Sequence, residues 1–509
     1  MFPPILNAER LGQLREKGGS AAALPPEAVS RFPEKILQFG SGAFLRGFFD
    51  FYVDQANREG HYRGRIAVVQ STGGGRANIF KEQDGLFTNV VQGLRNGEAV
   101  EELTVNASVS RALSAGEEWP QVLSLAENPE LEIAISNTTE VGIALDQQDR
   151  PDLNPPRSFP GKLTAVLYHR FRTFRGDTTK GLVVLPCELL ENNGLLLGEI
   201  VLKLAEIWQL GREFQEWVLH ANYFCNTLVD RIVPGSPAPD LLPALEEKAG
   251  YRDGLMTTAE VYSLYAIQGG ETVRDKLAFL LKNPAVIVAK DISPYRERKL
   301  RLLNGSHTIS IPLAFLSGHQ YVIDMMRDPR LSAFVARLMQ EEIAPVLDMP
   351  AAVVNAYAEE VLSRFANPFL RHQLIDISMQ STTKMRHRVM QTIDKYHQKF
   401  GEAPPRFALG FAAYLLFMRG INRENGVYLG RRGDQFYPIR DQHAGYFAEL
   451  WKLADQDDPN SVRELAESAC GNKLLWGKDL NLMGNFGELV AAHLWQMLHE
   501  GVESLLEKA

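Results

Sequence analysis

The sequence predicts an α/β protein in two parts, an N-terminal domain built on a parallel sheet and then a mostly α-helical C-terminal domain. Three observations predict it. Short apolar, β-branched runs alternate through the first half with stretches long enough for crossover helices. The second half loses that alternation and carries long apolar repeats at helical period. With 509 residues, the chain is also too long for one hydrophobic core, since domains usually run to about 100–200 residues.

Residues 1–33 form an N-terminal extension of mixed charge, proline and alanine, with no apolar core segment or small-residue cleavage site, so no secretion signal is expected. Strands are predicted at Lys35–Phe39, Ile66–Gln70, Leu131–Ser136 and Gly181–Pro186, with a weaker pattern at Thr227–Val233. Connected by crossover helices, they form a parallel sheet. The texture changes between Val286–Val288 and Arg298, with Pro294 as a breaker, which divides the chain into domains 1–290 and 291–509. Helical periodicities follow at Leu300–Leu316, Leu331–Val346, Ala351–Phe365, Phe407–Met418 and Phe486–Leu505. No repeat at a fixed period and no low-complexity block interrupts them.

Composition removes several function classes. A formal net charge of −8 argues against nucleic acid or an anionic membrane as partner, because phosphate binding needs a concentrated positive surface. No run approaches the roughly 18 apolar residues of a membrane span. The three cysteines, Cys187, Cys225 and Cys470, are far apart and form no CxxC pair, which fits a reducing cytoplasm. Eleven histidines include no HxxxH, so no metal site is expected. Oligomeric state, monomer or small homo-oligomer, stays open.

The first strand runs into Phe39-Gly40-Ser-Gly42-Ala43-Phe44-Leu-Arg46-Gly47, a strand, tight turn and helix. A dinucleotide pyrophosphate needs that arrangement: glycine lets the backbone approach, and a helix start offers unpaired N–H groups. Gly40 and Gly42 fill the first two places of G-x-G-x-x-G, whereas Leu45 holds the third. Position at the first strand of an alternating half favours a Rossmann-type nucleotide turn, with Phe39, Gly40, Gly42, Ala43 and Phe44 as cofactor-binding residues, over a βα turn that uses glycine only for its backbone angles. Arg46 has two readings, a cation for the pyrophosphate or a solvated helix-face charge. The ribose-binding acid expected at the end of the second strand is missing; Gln70 or Ser71 stands there to bind a 2′-hydroxyl, while Arg76 suits a 2′-phosphate. NAD is the expected cofactor and NADP is not excluded. Thr138 and Glu140, after the third predicted strand, lie where a nicotinamide is expected; Glu140 is either a proton relay or a surface carboxylate.

A second constellation is Lys299-x4-Asn304-x2-His307. At about 100° per residue, Asn304 and His307 are helical neighbours and Lys299 lies within about 80° of His307. A carbonyl under reduction needs hydrogen-bond donors at its oxygen and an acid to protonate the developing alkoxide, and these three side chains supply both. The plainer reading makes them a solvated cation, a turn residue before Gly305 and a core histidine.

Together with Ser136-Asn-Thr-Thr-Glu140, Pro186-Cys-Glu-Leu-Leu-Glu-Asn-Asn-Gly194, Val229-Asp-Arg-Ile-Val-Pro234 and Arg364-Phe-Ala-Asn-Pro368, these segments resemble the mannitol dehydrogenase family, the polyol-specific long-chain dehydrogenases. The resemblance implies metal-independent NAD(H) hydride transfer at a site between the two domains. It implies Lys299 as general acid/base, with Asn304 and His307 on the reacting oxygen. In oxidation the lysine must start neutral, which burial or cations such as Arg296, Arg298 and Arg301 favour. Many members carry an asparagine directly after Cys-Asp/Glu, where this chain has Leu189; Asn192 and Asn193 are the substitutes, Asn193 as a catalytic residue and Asn192 toward substrate, with a loop before Gly194 as the alternative. Within the family the glycine turn and the Cys187–Gly194 run resemble members acting on uronates. That implies a sugar-acid substrate, interconversion of D-tagaturonate and D-altronate, with fructuronate or a neutral ketose as alternatives and a non-catalytic NAD(H)-binding regulator as the reading from another class. A uronate carboxylate needs a fixed cation, for which Lys384 and Arg388 in the basic run 381–388 are the candidates, against a solvated helix face. Asp230 and Arg231 are either a pair at the edge of the site or a structural ion pair.

Overall fold

The computed structural model describes residues 3–71, 76–138 and 142–506. The chain divides into two compact units, one of Met1–Arg95 with Val100–Ile292, the other of Asn96–Ala99 with Ser293–Ala509.

The first unit is organised by six parallel strands: β1 (Glu34–Phe39), β2 (Arg65–Gln70), β3 (Val109–Ser114), β4 (Ile133–Ser136), β5 (Val183–Pro186) and β6 (Tyr223–Phe224). Their spatial order is 3-2-1-4-5-6, the doubly wound order in which β1 and β4 diverge at a crevice outside their carboxyl ends. Alternation along each strand sends side chains into two separate cores. Ile36, Ile66, Val68, Ile133 and Ile135 pack on one face, while Leu37, Phe39, Ala67, Val69 and Ala134 pack on the other. Apolar residues on both faces are what a sheet covered by helices on both sides demands.

Two strands differ from the sequence expectation. β3 was not anticipated, because its sequence Val-Ser-Arg-Ala-Leu-Ser is that of an edge strand; Arg111 on it pairs with Glu34 at 2.9 Å. The segment expected at Thr227–Val233 forms a strand over Thr227–Asp230 but leaves the main sheet. It pairs antiparallel with Leu264–Gln268, which in turn pairs with Val286–Ala289, since Tyr223–Phe224 already occupies the sixth place. A further three-stranded sheet joins Phe87–Arg95, Glu98–Asn106 and Thr257–Glu260.

The second unit is mostly helical. Helix Pro405–Phe417 is apolar on all sides and buried from Phe407 through Leu415, the signature of a helix surrounded by others. It packs on Ser306–Leu316 and Phe486–Glu500. Ala351–Phe365 is helical, as its periodicity predicts. A three-stranded antiparallel sheet, Asn422–Glu424, Val427–Arg432 and Gln435–Ile439, stands among these helices; the sequence reading had missed it, because its strands are short and largely exposed. Among the described residues no helix is long and apolar enough to cross a membrane, and the three cysteines are free and buried.

Candidate active site

At the end of β1 the chain turns on Gly40, whose φ of 121° and whose approach to Asn137 O, 2.8 Å from where a Cβ would sit, exclude any other residue. Gly42 is exposed, with open space on its Cα, and starts the short helix Ala43–Arg46. Ala43 and Phe44 are half-buried, and Phe44 stacks on Phe48 with ring centroids 5.0 Å apart. Phe39 contributes backbone only, since its ring is buried against Phe159. These features fit a dinucleotide phosphate turn: glycine on the approach side, a helix start beyond it, and the divergence of β1 and β4 alongside.

Several side chains assigned to ligands from the sequence are instead engaged by the protein. Arg46 is neither a solvated charge nor a cation presented at the surface. It is fully buried, donating to Leu255 O at 3.2 Å, Thr257 Oγ1 at 3.0 Å and Ser41 O at 2.6 Å. Burial, and then the nearby Arg76 charge, lower its pKa to about 10. Gln70 accepts from Ala77 N at 2.9 Å and so caps the helix after β2. Ser71 keeps a buried Oγ with no partner among the described residues, which leaves it the better of the two for a ribose hydroxyl. Thr72–Gly75 and Glu140 lie outside the described residues.

Asn193, expected to be catalytic, has its side-chain amide held by the fold. Its Nδ2 donates to Pro186 O and Glu188 O, both at 3.0 Å, and its Oδ1 accepts from Thr227 N and Gly194 N, both at 2.9 Å. Buried and satisfied at both ends, it fastens β5 to the segment at Thr227. Asn192, by contrast, is exposed, in a left-handed conformation at φ 53°. Arg231 is likewise held by the fold: buried over the Phe51 ring, it donates to Glu260 O at 2.9 Å and to Gly47 O at 2.8 Å. Asp230 is buried beside it in the strand facing Leu264. The sequence reading also passed over Glu188. This buried carboxylate accepts from Ser136 Oγ at 3.1 Å and from Thr138 N and Oγ1, both at 2.9 Å, and so fixes Thr138 at the end of β4. Its signal was present in the Cys-Glu-Leu run.

In the helical unit, Ser293–Arg298, Lys299–Gly305 and Ser306–Leu316 follow one another as one helix whose middle section is a π-helical turn. Such widened turns recur at functional sites. An ideal α-helix would set Lys299 and Asn304 about 140° apart; the i→i+5 turn brings residues five apart toward one face. Gly305 sits within this turn, where a Cβ would lie 3.0 Å from Arg388 O, so the absence of a side chain lets the helix Ser381–Arg388 approach.

His307 stacks on Phe365, ring centroids 3.9 Å apart and 4° from parallel, and meets His372 edge-on at 6.2 Å. Its Nε2 is buried with no hydrogen-bond partner, and the Asn304 side chain makes no hydrogen bond among the described residues, although Asn304 O accepts from Thr308 Oγ1 at 2.7 Å. Burial above all, then the charges of His372, Arg364, Arg388 and Lys384, lower the His307 pKa to about 3. It is therefore a neutral imidazole at working pH. Lys384 donates to Ile377 O at 2.8 Å and Arg388 to Thr308 Oγ1 at 3.3 Å; neither forms an ion pair among the described residues. Burial lowers the pKa of both, and Arg388 lowers that of Lys384 further. Lys299 is half-buried on the same helix. Of the cations close to it in sequence, Arg298 is packed between Tyr295 and Tyr357, and Arg301 is held by Glu297, His387 O and Gln391. Among the described residues no group of three or more His, Cys, Asp or Glu is placed to hold a metal ion.

The strand order, the glycine turn and the helix carrying Lys299, Asn304 and His307 define a class, the dinucleotide-dependent dehydrogenases. The chain belongs to the mannitol dehydrogenase family. Residues 34–279 match the Mannitol dehydrogenase Rossmann domain and residues 291–462 the Mannitol dehydrogenase C-terminal domain. It is 39% identical to the altronate oxidoreductase of Bacillus subtilis, over 94% of this chain and 96% of that protein. With the altronate oxidoreductase of Halalkalibacterium halodurans it shares 38% identity over 94% and 93%. Mannitol 2-dehydrogenase of Pseudomonas fluorescens, solved as a ternary complex with NAD and D-mannitol, has the same fold, with a TM-score of 0.67 over 99% of each chain at 23% identity.

Proposed function

We propose that the chain is a cytoplasmic, NAD-dependent enzyme that interconverts D-tagaturonate and D-altronate in hexuronate catabolism. The observation that carries this reading is the 38–39% identity, over nearly the full length of both chains, to proteins named altronate oxidoreductase.

When bound, the reduced cofactor supplies hydride to the ketone carbon. Lys299 delivers a proton to the oxygen as negative charge grows there, and takes it back in the oxidative direction. His307, neutral and with Nε2 unengaged, hydrogen-bonds that oxygen together with Asn304. The stack on Phe365 fixes the imidazole plane, so the bond is aimed before substrate arrives. Lys384 and Arg388 hold the carboxylate of the sugar acid, a charge-assisted contact that a neutral polyol cannot make. At the end of β4, Glu188 positions Thr138 beside the nicotinamide. Lys299, Asn304, His307, Lys384 and Arg388 all lie in the helical unit, and the dinucleotide turn lies in the other.

The test is NADH oxidation with tagaturonate, fructuronate and fructose in parallel, in the presence of EDTA. Strong preference for tagaturonate is the expected result. Preference for another of the three would keep the family and discard this substrate, and loss of activity in EDTA would discard the metal-independent mechanism.

A further inference from the structure

The carbonyl groups of the glycine turn are held from beneath by two side chains that are themselves fully buried. Gln38 donates from Nε2 to Gly40 O at 3.0 Å, and Arg46 donates from Nη1 to Ser41 O at 2.6 Å. Neither is free to swing away. Gln38 Nε2 also reaches Asp50 Oδ2 at 3.4 Å, and Arg46 Nε is fixed by Leu255 O and Thr257 Oγ1.

In a planar trans peptide the carbonyl and the N–H of the same unit point in opposite directions. Pinning the carbonyls of Gly40 and Ser41 inward therefore turns the N–H groups of Ser41 and Gly42 outward. Among the described residues neither N–H has a hydrogen-bond acceptor, and nothing stands within 4 Å of where a Gly42 Cβ would project. Successive outward N–H groups form a concavity that binds anions. Among the described residues the Arg46 guanidinium leaves Nη2 without a partner, and that atom is buried, so its bonds act on the turn.

We propose that Gln38 and Arg46 are positioning residues for the dinucleotide pyrophosphate, aiming the N–H groups of Ser41 and Gly42 at its oxygens by anchoring the opposite carbonyls. This rests on the dinucleotide reading of the turn. It also accounts for a fully buried arginine in a turn whose third glycine position is occupied by Leu45: the peptide planes are set by side-chain donors as well as by glycine conformation.

The experiment measures binding to the intact protein without turnover. NADH is titrated by its fluorescence and displaced with ADP, which carries a pyrophosphate, and with adenosine, which does not. Gln38→Leu removes the donor to Gly40 O and is expected to weaken NADH and ADP by about tenfold, the factor equivalent to about 1.4 kcal/mol, while adenosine changes less than about twofold. Arg46→Lys keeps one donor toward Ser41 O and loses the other bonds; it gives the same pattern at smaller size, and it carries the test if Gln38→Leu does not fold. Unchanged ADP affinity, or equal losses for ADP and adenosine, overturns the positioning role. A wild-type protein that binds no NADH overturns the dinucleotide reading itself, an outcome distinct from wild-type binding with indifferent variants.

Discussion

The glycine turn and the helix Ser293–Leu316 place their chemistry on opposite parts of the polypeptide. Around the turn several polar side chains are engaged internally, although Ser71 keeps a buried Oγ without a partner among the described residues. Gln38, Arg46, Gln70, Asn193 and Arg231 all bond to backbone or to neighbours, and what faces outward is main chain, the N–H groups of Ser41 and Gly42. On the helix and its neighbour Ser381–Arg388 the reverse holds among the described residues: His307 keeps a buried Nε2 without a hydrogen-bond partner, the Asn304 amide makes no hydrogen bond, and Lys384 and Arg388 form no ion pair. The difference follows from what each region must bind. A pyrophosphate is matched by peptide N–H groups, whatever side chains hold them, whereas a reacting ketone needs a proton donor that only a side chain supplies.

The largest effect should come from the side that uses side chains. Lys299→Ala is expected to lower kcat by about 10²–10⁴-fold, the usual contribution of a positioned general acid, with NADH affinity unaltered because the turn is untouched. Steady-state NADH oxidation and a fluorescence titration measure the two. A variant with near-normal kcat would break the comparison at its strongest point. Next comes Lys384→Met, expected to raise KM by roughly tenfold or more for a uronate and much less for an uncharged ketose, as loss of a charge-assisted contact requires; equal effects on both would remove Lys384 from the carboxylate site.

Asn193→Ala probes the other side. Removing a buried amide that serves four neighbours leaves their donors and acceptors unpaired, a loss of about 1–3 kcal/mol, read as a lower urea midpoint. If stability held while kcat collapsed, Asn193 would be a catalytic residue after all.

The same contrast decides how much was legible in the sequence. The alternation of β1, β2, β4 and β5 with helices was readable because strands buried on both faces are apolar throughout. Edge strand β3 was not, since Ser110 and Arg111 break the pattern. At the site, spacing along one helix put Lys299, Asn304 and His307 within reach of one another but left the plainer reading open until the family resemblance gave them roles, and the π-helical turn leaves no periodic mark. The engagement of Arg46, Gln70, Asn193 and Arg231 within the fold escapes the sequence for one shared reason. A polar residue beside a ligand-binding turn looks alike in sequence whether it faces the ligand or the fold, and only its partners, such as Leu255 and Thr257 for Arg46, separate the two. Glu188 was missed for the converse reason, its partners Ser136 and Thr138 being distant in the chain.

The smallest expected effect tests the comparison at a single nitrogen. With its pKa lowered to about 3 in the fold and about 6.5 when unfolded, His307 takes up a proton in the unfolded chain first as the pH drops. Its contribution to stability is therefore complete above about pH 6.5 and declines as pH falls toward the folded value. His307→Gln removes that term, so between pH 7 and 5 the melting temperature of the wild type should fall further than the variant's, by roughly 1–3 °C. Lys384→Met should narrow the gap, because Lys384 is one of the charges that disfavour the imidazolium. Parallel melting curves for wild type and His307→Gln would mean that the imidazole accepts a proton as readily in the fold as in the unfolded chain. The imidazole would then be hydrated like a surface group, and the helix would lose the unengaged, desolvated atom that distinguishes it from the turn.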